Sequence, residues 1–153
     1  MSKEILEKFD AATKEFCAVA KSVTITKLHQ SPGEGEWSAA YVIHHLADSD
    51  AHFLVRFLNV LAVDRPAIVP FDEESFPLAL AYENRSVATS LNSIDASRAH
   101  LVDILSHVDD AVWQRVGIHA ERGELTLSAI LQLTTDHRTG HIEQLQKLSL
   151  IHI

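Results

Sequence analysis

Apolar residues return every three or four positions through four long stretches of this chain, the signature of helices that bury one face. Ile5, Phe9, Ala12, Phe16 and Val19 predict a first helix over about 3–28, ended by the loop at Pro32-Gly33. Val42, Leu46, Phe53, Phe57 and Leu61 predict a second over about 38–61, with Ser38 as its N-cap and Trp37 as an apolar plug just before it. Leu54 and Leu58 widen that stripe, so this helix should be buried on a broad face. Val87, Leu91, Ile94, Leu101, Leu105 and Val108 predict a third over about 85–108. Leu127, Ile130, Thr134, His137, His141, Leu145 and Leu148 predict a fourth over about 127–149, behind Thr126 as N-cap.

The stretches between are less regular. Residues 62–83 carry Pro66, Pro70 and Pro77, which exclude a regular helix through most of the segment. A connection of this length inside a compact fold is uncommon and often functional. It also has the reach to let the third helix run parallel to the second. DDAVWQR reads as a short helical turn capped by Asp109 or Asp110, and RVGIHAERGELTL as a small hairpin turning at Arg122-Gly123. The pattern as a whole predicts an all-α protein, a bundle of four long helices with one long crossover between the second and third. At this length the chain reads as a single domain over 1–153.

Composition narrows the function. A formal net charge of −8 argues against nucleic acid and against anionic membrane surfaces, both of which call for clustered Lys and Arg. No apolar run approaches the 18–20 or so residues needed to span a bilayer, and MSKEILEKFD lacks the pattern of a signal peptide. Cys17 is the single cysteine, so no intrachain disulfide is available, which fits a reducing cytoplasm. It reads as a small packed side chain, not as a nucleophile. The closing KLSLIHI suits a dimer contact or a tucked tail.

Ten histidines are the compositional oddity. His137 and His141 are four apart within the apolar stripe of the last helix, and residues so spaced stack one above the other. Two imidazoles buried without partners cost free energy, and a shared cation satisfies one nitrogen on each. The spacing is that of a zinc-binding HExxH helix, but the glutamate is missing, so no local general base is supplied. A third ligand would come from HHLADSDAH on the second helix, where spacing alone does not choose between His44 and His45. Asp48 is close enough along the helix to orient either ring by hydrogen bond, the usual role of a carboxylate behind a metal ligand. Three imidazoles leave a coordination position open, the pattern of a catalytic site, and suit Zn or Ni, with Fe or Co as alternatives.

GEWSAAYVIHHLADSDAHFLVRF, then PAIVPFDEESF, then LTLSAILQLTTDHRTGHIEQL, in that order, resemble the DinB-like superfamily, and within it the branch of metal-dependent enzymes that includes bacillithiol S-transferases. The resemblance covers roughly 30–148; the first helix fits by position. It implies a bundle with an up-down-down-up course and a three-histidine metal site. The family's first ligand is the histidine directly before the leucine of an HL pair, which here is His45, and the other two carry onto His137 and His141. It also implies a homodimer. Asp50 stands where some relatives have histidine, and Asp136, Arg138 and Gly140 surround the two late ligands where relatives are richer in histidine.

The resulting expectation is a cytoplasmic, metal-dependent enzyme acting on small molecules. Either it transfers a low-molecular-weight thiol to an electrophile or it hydrolyses an amide or ester. The alternatives are a non-catalytic metal-binding or stress-related interaction module and a purely structural helical dimer. Residues 70–76 are the candidate pocket lining, with Asp72 or Glu73 to accept a proton or bind a ligand ammonium, and His119 of the hairpin is placed to reach the pocket mouth.

Overall fold

The computed structural model describes residues 2–150. Its frame is four long helices: α1 (Ser2–Ser22), α3 (Ala39–Ala62), α5 (Val87–Leu105) and α6 (Leu127–Ser149). Three of them start on hydroxyl caps that take up an otherwise orphaned backbone N–H. Ser38 Oγ accepts from Tyr41 N at 3.3 Å, Ser86 Oγ from Thr89 N at 3.2 Å and Thr126 Oγ1 from Ala129 N at 3.1 Å.

The course of the chain follows from the core. Leu6, Phe57, Leu101, Leu105 and Ile130 meet in one block of buried side chains. Phe16, Val42, Ile43, Leu91, Leu145 and Leu148 meet in the other. The start of α1 therefore sits with the end of α3, the end of α5 and the start of α6. This is the up-down-down-up course, with α1 parallel to α6 and α3 parallel to α5. Parallel neighbours need a connection that travels back along the bundle, and residues 63–86 supply it. On that path lie strand β1 (Ala67–Ile68), the short helix α4 (Phe76–Ala79) and a 3-10 turn over Tyr82–Asn84.

Two of the long helices differ in extent from expectation. The first helix does not run through to residue 28: α1 ends at Ser22, and a separate turn, α2, spans Ile25–Leu28. The break falls on Val23-Thr24-Ile25-Thr26, four β-branched residues in succession, with Thr24 extended at φ −66°, ψ 149°. β-Branching restricts χ1 against the preceding turn and lowers helix propensity. The third helix is shorter than expected, beginning after Ser86 and ending at Leu105. Asp109 does precede a 3-10 turn over Asp110–Gln114, but its side chain makes no capping bond.

The hairpin is present as β2 (Val116–His119) and β3 (Gly123–Thr126), antiparallel, with Gly123 at φ 73° in the turn. β1 adds to β2 in parallel, Ala67 beside Ile118, so a three-stranded sheet supplements the helical bundle. Gly117 lets this sheet press onto α3. A Cβ there would stand 2.9 Å from Ile68 Cδ1 and 3.0 Å from Val60 Cγ2. Among the described residues, no helix is long and apolar enough to cross a membrane. Of the apolar tail, Leu150 is exposed, and 151–153 lie outside the described residues.

Candidate metal centre

α3 and α6 face each other across the middle of the bundle, and their histidines meet there. His45 Nε2 lies 3.3 Å from His137 Nε2, which lies 3.1 Å from His141 Nε2. One nitrogen from each of the three rings falls within 4.8 Å of the others. The helical spacing that stacks His137 on His141 is thus used against a single partner on the facing helix.

The adjacent histidine does something else. His44 is turned about the helix axis toward α5, where its Nδ1 meets Ser90 Oγ at 2.8 Å. The rotation of about 100° between successive helical residues separates the two rings, so His45, not His44, reaches the cluster.

Burial sets the charge state. It lowers the pKa of His45 to about 4, with the neighbouring His141 contributing, and that of His137 to about 3, helped by His141 and His45. It also lowers His141, against the pull of a hydrogen bond to Gln144. All three rings are neutral at pH 7, so each holds a lone pair. His141 Nδ1 donates to Gln144 Oε1 at 2.9 Å, which leaves the lone pair on Nε2, aimed into the cluster. Two lone pairs at about 3 Å repel unless a proton or cation lies between them. Nitrogen donors converging in this way suit a borderline divalent cation. Among the described residues, Nδ1 of His45 and of His137 is buried without a hydrogen-bond partner, whereas His141 has its second nitrogen tied to Gln144.

Around the triad, Trp37 packs against the His45 ring at 4.9 Å between centroids, and Phe53 meets His137 edge-on at 5.7 Å. Ser49 Oγ stands 3.4 Å from His45 Nε2. From the crossover, Glu73 brings Oε2 to 3.5 Å from His45 Nε2. The crossover is held over the site by Phe71, whose ring stacks on His52 at 4.3 Å. Of the two acidic candidates there, Glu73 faces the cluster, whereas Asp72 Oδ1 accepts the backbone N–H of Glu74 and shapes the turn.

Asp48 departs from expectation. It does not hydrogen-bond an imidazole; its Oδ2 accepts from Tyr82 Oη and from Arg85 Nη1, each at 2.7 Å. Both partners come from the end of the crossover, so Asp48 anchors that segment to α3. Asp50 is buried and ion-paired with Arg138, whose Nη1 donates to Thr13 Oγ1 at 2.7 Å and whose guanidinium lies 4.7 Å over the Phe9 ring. Burial raises the Asp50 pKa to about 6, and Arg138 limits the rise, so the carboxyl stays ionised at neutral pH. Cys17 is buried in the bundle core and burial raises its thiol pKa, in keeping with a packing role.

Sequence reasoning missed Gln144 and Ser49. Each lies three or four residues from a ligand on the same helix, so the spacing that found the histidines would also have found them.

Fold and site together define a helical-bundle protein with a histidine triad lodged between two facing helices. The chain belongs to the DinB superfamily, whose family model matches residues 8–145. It is 28% identical over 147 residues to YfiT of Bacillus subtilis, whose name classes it among metal-dependent hydrolases; the match covers 95% of this chain and 81% of that one. A similarly named protein of Bacillus mycoides is 26% identical over 154 residues, covering 96% and 88%. The solved structure of YfiT superposes with a TM-score of 0.87 over 97% of this chain and 85% of that one, at 23% identity. A mycothiol-dependent maleylpyruvate isomerase shares the fold with a TM-score of 0.76, at 16% identity, over 95% of this chain and 60% of its own.

Proposed function

We propose that His45, His137 and His141 hold a divalent cation, Zn or Ni, and that the protein is a metal-dependent enzyme acting on a small-molecule substrate. The observation that carries this is the convergence of three neutral imidazole nitrogens, from two helices, beneath a crossover that brings one carboxylate. When bound, the cation supplies Lewis acidity that makes a weak protic nucleophile, a thiol or water, available near neutral pH.

The chain's own groups account for the rest. Cys17 is buried in the core and cannot act as the nucleophile, so the nucleophile is a second small molecule. Glu73 is half exposed beside the triad and takes its proton. In thiol transfer, the S–H proton passes to Glu73, sulfur bonds the electrophilic carbon, and the leaving group departs with its electron pair. In hydrolysis, water takes the place of the thiol and the acyl carbon that of the electrophile. The thiol route is our first reading, supported by the resemblance to thiol transferases. The names of the sequence relatives favour hydrolysis as the second. Assembly as a homodimer and a cytoplasmic setting go with the same proposal, supported by that resemblance and by the lone, buried cysteine.

The test begins with metal analysis of untagged protein, then a panel of low-molecular-weight thiols against a chloro-aromatic electrophile, with esters and amides in parallel. We expect near-stoichiometric metal in the wild type and less than a tenth of it in His45→Ala. Glu73→Gln should keep the metal and lose at least tenfold in kcat. A wild type without metal, or turnover that survives in His45→Ala, would overturn the reading.

A further inference from the structure

Beside His137 a cavity of about 230 Å³ opens between α3, the hairpin and α6. Its walls are apolar: Phe53 of α3, Ile68 of β1, Leu125 of β3 and Ile130 of α6. Its fixed charges are of one sign, beside the neutral polar groups of Thr134 and His137. Arg56, His119 and Arg122 line it, and among the described residues no acidic one does.

This bias is not what the chain's composition would produce. The protein carries 21 acidic residues against 13 basic ones. Four arginines have taken carboxylate partners: Arg65 with Glu124, Arg85 with Asp48, Arg98 with Asp10 and Asp95, and Arg138 with Asp50. Arg115 is spent on the backbone carbonyls of Val60 and Val63. The remaining two, Arg56 and Arg122, both line this cavity. Arg56 is fixed in place: Nη2 donates to Val69 O at 2.7 Å, and the guanidinium lies 5.3 Å from the Phe53 ring centre and 5.6 Å from that of Phe71. Its Nε is buried and has no hydrogen-bond partner among the described residues.

His119 adds a donor. Its Nδ1 accepts the backbone N–H of Glu121 at 3.1 Å and of Arg122 at 3.2 Å. With Nδ1 occupied as an acceptor, the proton of the neutral ring sits on Nε2. The hairpin turn thus fixes the tautomer of a residue on the cavity wall. Two guanidinium groups and an N–H, set on apolar walls with no acid among the described lining residues, have the chemistry that suits an anion with a hydrocarbon body.

We infer that this cavity is a substrate subsite for a small organic acid, whose carboxylate is held by Arg56, Arg122 and His119 and whose apolar body runs along Phe53 and Ile130 toward His137. The inference rests on the proposed metal centre only in calling the ligand a substrate; the binding it describes belongs to the arginines. It narrows the electrophile to one carrying a carboxylate beyond the reacting carbon.

Calorimetric titration with trans-cinnamate and with its neutral amide, on the full chain before and after chelator treatment, tests it. We expect the acid to bind at least tenfold more tightly than the amide in both preparations. Arg122→Gln is on an exposed turn and should fold normally. It should weaken cinnamate at least fivefold, with amide binding and metal content unchanged. Arg56→Lys keeps the charge but loses the planar fork, and should also weaken cinnamate. Equal affinity for acid and amide, or unchanged cinnamate binding in both variants, would overturn the subsite. So would binding that vanishes with the metal and ignores the arginines, since the acid would then sit on the cation alone. A wild type that carries no metal yet selects the acid through Arg122 would sink the metal-centre reading and leave the subsite standing.

Discussion

Gln144 decides which nitrogen of His141 is available, because its carbonyl takes the Nδ1 proton. Partners of this kind are worth about 10–100-fold in metal affinity. Gln144→Leu should therefore weaken metal binding by at least tenfold while leaving the helix content unchanged, as read by competition with a chromogenic chelator. The low pKa values of the buried histidines give a second expectation, for the metal-free protein. An unfolded histidine titrates near 6.5, but His44 and His45 titrate at about 4 when folded and His137 at about 3. Between those values the unfolded chain binds more protons than the folded one, so stability rises with pH there. The histidine contribution is complete above about pH 6.5 and is lost as pH falls toward 4. Asp50 acts with opposite sign: raised to about 6, it favours the folded state at lower pH. With three histidines against one carboxyl, the melting temperature should drop steadily from pH 7 to pH 5. A flat profile over that range would contradict the burial of these rings.

Between α1 and α6, the main polar contact is a clasp in which Arg138 reaches Thr13 on one helix and Asp50 on another. Removing one partner of a buried ion pair strands the other charge and costs about 3–5 kcal/mol, whereas replacing both by apolar residues is often neutral. Arg138→Met should lower unfolding free energy by about that amount in urea titration, and Asp50→Leu combined with Arg138→Met should recover most of it. The four long helices were legible because each carries a stripe of period near 3.6 and three carry a hydroxyl cap at the first turn. The break after α1 was not, since Val23 continues the apolar pattern while the β-branched run around Thr24 opposes it. β1 was not legible either. Two residues show no period, and the pairing of Ala67 with Ile118 joins segments far apart in the chain.

In the molecule as a whole, the triad links α3 to α6 across 92 residues of sequence. A ligand that binds only the folded state stabilises it by mass action, by about 2.7 kcal/mol at a hundred times its Kd. Added Zn or Ni should raise the melting temperature of the wild type in a concentration-dependent way and leave His137→Ala unmoved. The histidines of the site were legible because all three lie on helices with strong periodicity, although choosing His45 over His44 took the family likeness. The partners of Asp48 were hidden, because Tyr82 and Arg85 arrive from a crossover whose path no pattern encodes. The basic cavity was hidden for the same reason, since α3, the hairpin and α6 assemble it only once the bundle has formed. That crossover has one further consequence. Connectivity obliges the chain to make the return journey so that α5 can start beside α3, but it prescribes little of what the traveller carries. Glu73, Phe71 and Phe76 ride on an excursion that topology requires, yet none of the three belongs to either block of the bundle core. Substitutions at these three positions would change what covers the triad while sparing the contacts that set the course of the helices.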